Sequence, residues 1–269
     1  MNLVIIGLIC SCTEIMPMEE YPASGDTIIS PVSSGNIIFE ETFETPLPFF
    51  NVHQQFAMDH GFSITSSPVF QGKGAGRFEL RATDDMVANG TRAEVLFPEQ
   101  KSKERWYSFW VYLPSDYFEN DSYREIISQW HQGGGAGSPP NSLQIKDDKF
   151  LLKSVDGDLE SSYYELGDVI KDEWQEFVFH FVHSIKDDGL IEIWHNNKKV
   201  LTLKGVNMKA GFEAPRWKIG IYKWKWNGDK TTDTDLRVLY YDNVRMGNEH
   251  CTYEEICSYT PDSQKGPNK

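Results

Sequence analysis

From Asn36 onward the chain is a succession of short runs that alternate apolar and polar residues, and this period of two limits its folds more than any other feature. Such runs lie at Ile37–Phe43, Gly76–Arg81, Arg92–Phe97, Trp106–Leu113, Glu125–Gln132, Ser142–Ile145, Phe150–Ser154, Glu176–His183, Leu190–Trp194, Lys199–Leu203, Trp217–Trp226 and Leu236–Met246. Each has the pattern of a half-buried strand, whereas helical periodicity is scarce. Asp187-Asp188-Gly189 and His195-Asn196-Asn197 supply turn chemistry around two runs, so 176–203 reads as an antiparallel meander. The expectation is an all-β chain: two packed antiparallel sheets in a β-sandwich, most simply a jelly roll, with a concave groove on one sheet. No internal repeat interrupts it, and a single domain over 36–258 is expected.

The 269 residues are 39% hydrophobic and 13% aromatic, enough for one large core. A formal charge of −14 argues against nucleic acid as a partner and means that an anionic ligand needs a local basic patch. Residues 3–9 are apolar, too short to span a bilayer, and end at Cys10-Ser11-Cys12. We read 1–11 as an export signal. Ile9-Cys10-Ser11-Cys12 is similar to a bacterial lipobox, which makes Cys12 the lipid-bearing residue and that lipid the only membrane attachment; a plain secretion signal is the alternative. Residues 12–35 are rich in Pro, Ser, Gly and Glu and read as a tether, and 259–269 as a polar tail. With Cys12 lipidated, Cys251 and Cys257 remain as either a small disulfide loop or two free thiols. A monomer is expected.

Residues 216–226, Arg-Trp-Lys-Ile-Gly-Ile-Tyr-Lys-Trp-Lys-Trp, carry the strongest functional signal. Read as a strand, Arg216, Lys218, Gly220, Tyr222, Trp224 and Trp226 share one face, and Trp217, Ile219, Ile221, Lys223 and Lys225 the other. The first face sets cations, a phenol and two indoles around a glycine that leaves room above the backbone. That suits a sugar ring bearing a carboxylate better than a core. Two further segments place polar side chains where a structural strand has none. Arg92 and Glu94 share a face and can hold each other in place. Gln129 and His131 share another, preceded on it by Ile127, with Trp130 turned to the core. Ser142 and Gln144 alternate after Pro139-Pro140 and are candidates to line a groove. Gly133-Gly134-Gly135-Ala136-Gly137 lacks the lysine and strand-to-helix context of a phosphate cradle and reads as a mobile loop over the groove. His180, His183 and His195 have no partner at a useful spacing and read as structural.

The three polar segments match the Arg-x-Glu, Gln-x-His and Lys-x-Gly-x-Tyr strands shared by alginate-lyase and heparin-lyase jelly rolls. The chain as a whole resembles the heparin lyase I-like polysaccharide lyases, the group that includes the family-20 glucuronan lyases. The resemblance runs from about Thr91 to Gly247, in the blocks 91–95, 104–114, 125–132, 139–145, 174–182, 189–199, 215–224 and 240–247. It implies a jelly roll and lyase activity on an anionic, uronic-acid polysaccharide: glucuronan first, then alginate, then a heparin-like glycosaminoglycan.

Such a lyase removes the C5 proton beside a carboxylate and expels the oxygen at C4, so the site must neutralise the carboxylate, supply a base and protonate the leaving oxygen. Arg92 and Gln129 suit the first task. His131 is the candidate base. Tyr222 is the candidate donor to the leaving oxygen, or both base and acid where the two groups lie on one side of the ring, with Lys218 beside it to favour the phenolate. Glu94 orients Arg92. Trp224 and Trp226 are candidates for stacking on sugars, and Arg216 and Gln144 for further contacts. The chemistry needs no cofactor. Glu40-Glu41 and Asp242-Asn243 could meet at the sheet edge around a structural calcium, the plainer reading being a solvated acidic edge.

Two other functions compete. A sandwich glycoside hydrolase needs two carboxylates at catalytic separation, and no Glu-x-Asp-x-x-Glu strand is present. A carbohydrate-binding lipoprotein needs the groove aromatics but has no use for Gln129, His131 and Tyr222 together.

Overall fold

The computed structural model describes residues 35–133, 135–156, 160–228 and 231–258. The signal, Cys12, the tether up to residue 34 and the polar tail lie outside these residues. Fifteen strands run in the order β1 (Ile37–Glu41), β2 (His53–Phe56), β3 (Phe62–Thr65), β4 (Ala75–Arg81), β5 (Arg92–Leu96), β6 (Glu104–Tyr112), β7 (Glu125–His131), β8 (Asn141–Lys146), β9 (Lys149–Val155), β10 (Ser161–Asp168), β11 (Trp174–Val182), β12 (Leu190–His195), β13 (Lys198–Lys204), β14 (Arg216–Tyr222) and β15 (Leu236–Gly247). They form two antiparallel sheets. One has the order β13-β12-β11-β6-β15-β4-β3, with β1 also on β15; the other is β10-β9-β8-β7-β14-β5-β2. This is the expected jelly-roll sandwich.

Period two builds the core directly. Trp130, Trp217, Ile219 and Ile221 point inward and are buried with Phe109, Phe177 and Phe179 from the facing sheet. Trp217 stacks on Phe97 with centroids 4.5 Å apart, and its indole N–H donates to Ser128 Oγ at 2.9 Å. Large rings filling both inner faces hold the two sheets in register.

Three strands were not foreseen, and all are edge strands. β2 and β10 flank the second sheet and β3 ends the first. An edge strand with an exposed face has little apolar alternation to betray it, as the half-exposed Ser-Ser-Tyr-Tyr-Glu-Leu-Gly-Asp of β10 illustrates. Two irregularities also change faces. In β7 the pairing with β8 slips between Ile126 and Ser128. Ile127 therefore turns to the core and Ile126, rather than Ile127, shares the face of Gln129 and His131. In addition, β14 ends at Tyr222, and Trp224–Asn227 forms a 3-10 turn.

Cys251 and Cys257 are not bridged to each other. Cys257 donates to Glu176 Oε2 at 3.2 Å instead of bridging. No helix among the described residues is long and apolar enough to cross a membrane.

Candidate active site

The second sheet carries one large open cleft of about 1030 Å³. Arg92, Gln129, His131, Gln144, Arg216, Lys218, Tyr222 and Trp224 all line it. Alternation requires this: the residues projecting opposite to Trp130, Trp217, Ile219 and Ile221 must face outward. Cross-strand register joins them, because Arg216 lies opposite His131, Lys218 opposite Gln129, and Tyr222 opposite Arg92.

Glu94 organises the floor. It is 1% exposed and does not itself reach the surface. Its Oε2 accepts from Arg92 Nη1 at 2.8 Å and its Oε1 from the Gln129 amide, while Lys218 Nζ lies 3.7 Å from Oε2 and donates to Gln55 Oε1 at 2.8 Å. One carboxylate thus holds two cations and an amide in fixed positions, so the cleft wall carries an excess of positive charge. Burial pushes the Lys218 ammonium below its ordinary value against the opposing pull of Glu94. Arg92 Nε and Gln129 Oε1 have no hydrogen-bond partner.

Tyr222 sits under Arg92, whose guanidinium carbon is 4.0 Å from the ring centroid. The phenolic oxygen accepts a hydrogen bond from Asn227 Nδ2 at 3.2 Å, and Asn227 Oδ1 accepts from Thr91 N at 2.6 Å. A guanidinium over the ring and an amide N–H on the oxygen are the groups that would stabilise negative charge there.

His131 occupies the other end of the same strand pair. It lies opposite Arg216 while Tyr222 lies opposite Ile126, five residues along β7 and hence roughly 17 Å of backbone away. Its Nδ1 accepts from Gly133 N at 3.0 Å, which puts the proton of the neutral ring on Nε2. Burial, with Lys218 and Arg92 adding repulsion, lowers its pKa to about 4. The one lone pair of the neutral His131 ring is therefore already occupied, and a hydrogen bond to the Gly137 backbone engages the ring as well. That geometry does not suit the role of base expected from the sequence.

Two other expectations change. Trp226 is fully buried in the main core, its indole donating to Thr232 Oγ1 at 2.9 Å, because the strand ends before it and the turn rotates it inward. Trp224 does reach the cleft and is 38% exposed. The space over Gly220 serves the neighbouring strand rather than a sugar: with φ at +131°, a Cβ there would come within 2.1 Å of the Ala93 carbonyl oxygen. Gly133, Gly135 and Gly137 line the cleft mouth, as a loop over the groove would.

Sequence reasoning missed Asn227, Gln55, Lys153 and Tyr163. Gln55 and Tyr163 sit on the unforeseen edge strands, and Asn227 arrives through the unforeseen turn. Lys153 lay in a foreseen strand, where one lysine at an alternating position carries no distinguishing signal.

Glu40 and Glu41, named with Asp242 and Asn243 for a structural calcium, lie on β1, which pairs with the β15 segment that carries the other two. Both Glu41 oxygens accept backbone N–H groups, from Phe43 and Phe49 at 2.7 Å each, and Glu40 pairs with Arg245. Asp242 accepts from the backbone of Phe70, Gln71 and Asn243. No group of three His, Cys, Asp or Glu among the described residues is placed to hold a metal.

The second sheet of the sandwich thus carries a cation-lined cleft with a phenol and an imidazole on one face. The family model for polysaccharide lyases matches residues 44–245. The chain belongs to that family and is an enzyme of the lyase class. A search of curated protein sequences found no match. Among solved structures, the fold is similar to that of an endo-β-1,4-glucuronan lyase from the fungus Trichoderma reesei, with 19% identity and a TM-score of 0.67 over 81% of this chain and 97% of that one. It is also similar to cellulose-induced protein Cip1, with 11% identity and a TM-score of 0.53 over 78% and 96% of the two chains. The binding domain of botulinum neurotoxin serotype C1 matches at 12% identity and a TM-score of 0.55, over 82% of this chain and 50% of that one. At these identities the likeness is one of fold.

Proposed function

We propose that this lyase cuts a uronic-acid polymer by β-elimination, with Tyr222 as the proton-transfer group. One observation carries the reading. The described cleft lining holds Arg92, Gln129, Lys218 and Tyr222 but no aspartate or glutamate, which suits an anionic sugar and leaves a hydrolase without its two acids.

Arg92 and Lys218 are the cationic donors available to the substrate carboxylate, whose neutralisation makes the C5 proton removable. The reaction requires Tyr222 as the phenolate, a charge that Arg92 over the ring and Asn227 on the oxygen would stabilise, and that oxygen takes the proton. The C5–H electron pair becomes the C4=C5 double bond, the C4–O bond breaks, and the phenol returns the proton to the departing oxygen. A single group can do both because in D-glucuronosyl and D-mannuronosyl residues the C5 hydrogen and the C4 oxygen lie on the same face.

Glucuronan is therefore the first candidate substrate, in keeping with the activity of the fungal structural neighbour. Alginate rich in mannuronate is the second. A heparin-like polymer comes last, since the motif strands supply few cations beyond those facing one carboxylate. We place the enzyme outside the cytoplasm as a monomer, held at the cell envelope by lipid on Cys12 or released if the leader is a plain secretion signal.

The test is a screen of glucuronan, mannuronate-rich and guluronate-rich alginate and heparin, read by the ultraviolet absorbance of the conjugated product. Glucuronan should give the strongest signal. Absorbance from none of them, together with retained binding, would favour a non-catalytic carbohydrate-binding role.

A further inference from the structure

The cleft extends well beyond the Glu94 cluster, and one row of residues crosses it. In register, Lys218 on β14 faces Gln129 on β7, Gln129 faces Ser142 on β8, Ser142 faces Lys153 on β9, and Lys153 faces Tyr163 on β10. Lys153 and Tyr163 line the same cleft as Gln129 and Lys218. Two strand spacings separate Lys153 from Gln129, roughly 10 Å. A group bound at Lys153 therefore belongs to a sugar other than the one whose carboxylate meets Arg92 and Lys218.

Lys153 is itself unusual. It is 6% exposed, and its ammonium makes one hydrogen bond, to the Pro139 carbonyl oxygen at 2.8 Å. No carboxylate among the described residues pairs with it. The other buried cations near the cleft, Arg92 and Lys218, share Glu94. An ammonium has three donors, and burying its charge without a counter-charge is costly. Burial, with the Lys209 charge adding to it, lowers the Lys153 pKa to about 8, which a bound anion would reverse. Beside it Tyr163 is 45% exposed, with the Arg124 guanidinium 4.3 Å from its ring centroid, so one aromatic face is backed by positive charge.

We propose that Lys153 binds the carboxylate of a second uronate in the same chain, with Tyr163 as the stacking wall of that subsite. The substrate class this selects is a polymer bearing acid groups on both sides of one subsite gap, rather than a lone uronate in a neutral chain. The inference rests on the lyase reading for which sugar reacts, but its binding consequence stands apart from turnover.

The experiment compares Lys153→Met with the parent protein in two arms. In kinetics on the polyuronate that the wild type cleaves, KM should rise about tenfold or more with kcat within about threefold, because a uniform binding contact is lost. In calorimetry on a Tyr222→Phe background, a glucuronan hexasaccharide should bind about tenfold more weakly after Lys153→Met, and cellohexaose, its neutral counterpart, should be unaffected. Lys153→Arg should recover most of the affinity. Lys153→Gln can still donate to the Pro139 carbonyl and carries the same comparison if Lys153→Met does not fold. Unchanged KM and affinity, equal losses for the acidic and neutral hexasaccharides, a fall in kcat alone, or no uronate binding by the parent would each overturn the proposal. A wild type that binds the polyuronate but releases no unsaturated product would instead refute the lyase reading, and the calorimetric arm would still decide Lys153.

Discussion

Lys218 and Lys223 stand an odd number of positions apart on one segment, so they project to opposite faces and enter two different networks of buried charge. On the inner side, Lys223 and Arg237 meet Asp121 and Glu125: Lys223 Nζ lies 3.0 Å from Asp121 Oδ2, and Arg237 lies 3.0 Å from Glu125 and 3.2 Å from Asp121. All four residues are at most 3% exposed. Two cations face two carboxylates, and the Tyr123 backbone N–H, Lys223 and Arg237 hold Asp121 below its ordinary value despite burial. On the cleft side Arg92 and Lys218 share the single carboxylate of Glu94, and Lys153 has none among the described residues. The paired network is a structural strut. The other keeps positive charge unpaired at the floor of an open cleft, which is where an anionic ligand completes it.

The contrast can be broken by substitution. The largest expected effect is on turnover: Tyr222→Phe should lower kcat by about 10³-fold while leaving the melting temperature within a degree or two of wild type, since it removes one hydroxyl from a partly exposed ring. Retained activity would remove Tyr222 from the chemistry. Arg92→Lys should follow, with kcat/KM down by about a hundredfold, because a point charge cannot reproduce a planar fork that both grips Glu94 and covers Tyr222.

Stability separates the two networks in the opposite sense. Lys223→Met should cost about 3–5 kcal/mol in denaturant unfolding, because it strands Asp121 and Glu125 beside one remaining cation. Lys218→Met should cost about 1 kcal/mol or less, since Glu94 keeps Arg92 and Gln129, yet it should impair substrate binding severely. Equal stability losses at the two positions would contradict the division between strut and site.

The smallest expected effect concerns acid. Burial lowers His131 and His195 to about 4 and His183 to about 3, below the ordinary value near 6.5. As pH falls through 6.5 the unfolded chain binds protons that the folded one refuses, so stability should decline between about pH 6.5 and pH 4. His131→Gln should make that decline shallower by one proton's worth of slope. An unchanged slope would mean that His131 titrates normally in the folded protein.

Much of this was legible in the sequence, for a reason that also explains the failures. Alternation identified the sandwich and put Arg92, Gln129, His131, Lys218 and Tyr222 on one surface, since a one-residue slip would have buried the cations and exposed Ile219 and Ile221. It held only while each strand stayed regular. The slip at Ile127 in β7 and the turn after Tyr222 moved Ile126 into the cleft and Trp226 out of it. Edge strands, whose sequences need satisfy one neighbour and little core, hid Gln55 and Tyr163. The role of His131 was beyond any spacing argument, because it depends on a hydrogen bond from Gly133 N that fixes which nitrogen carries the proton.

The most direct test of the central claim is a product analysis of exhaustively digested glucuronan by proton NMR. β-Elimination predicts that each new reducing end is matched by one unsaturated uronate, seen as a vinylic H4 signal of equal integral, and that Tyr222→Phe abolishes both signals together. New reducing ends without the vinylic signal would mean hydrolysis and contradict the account.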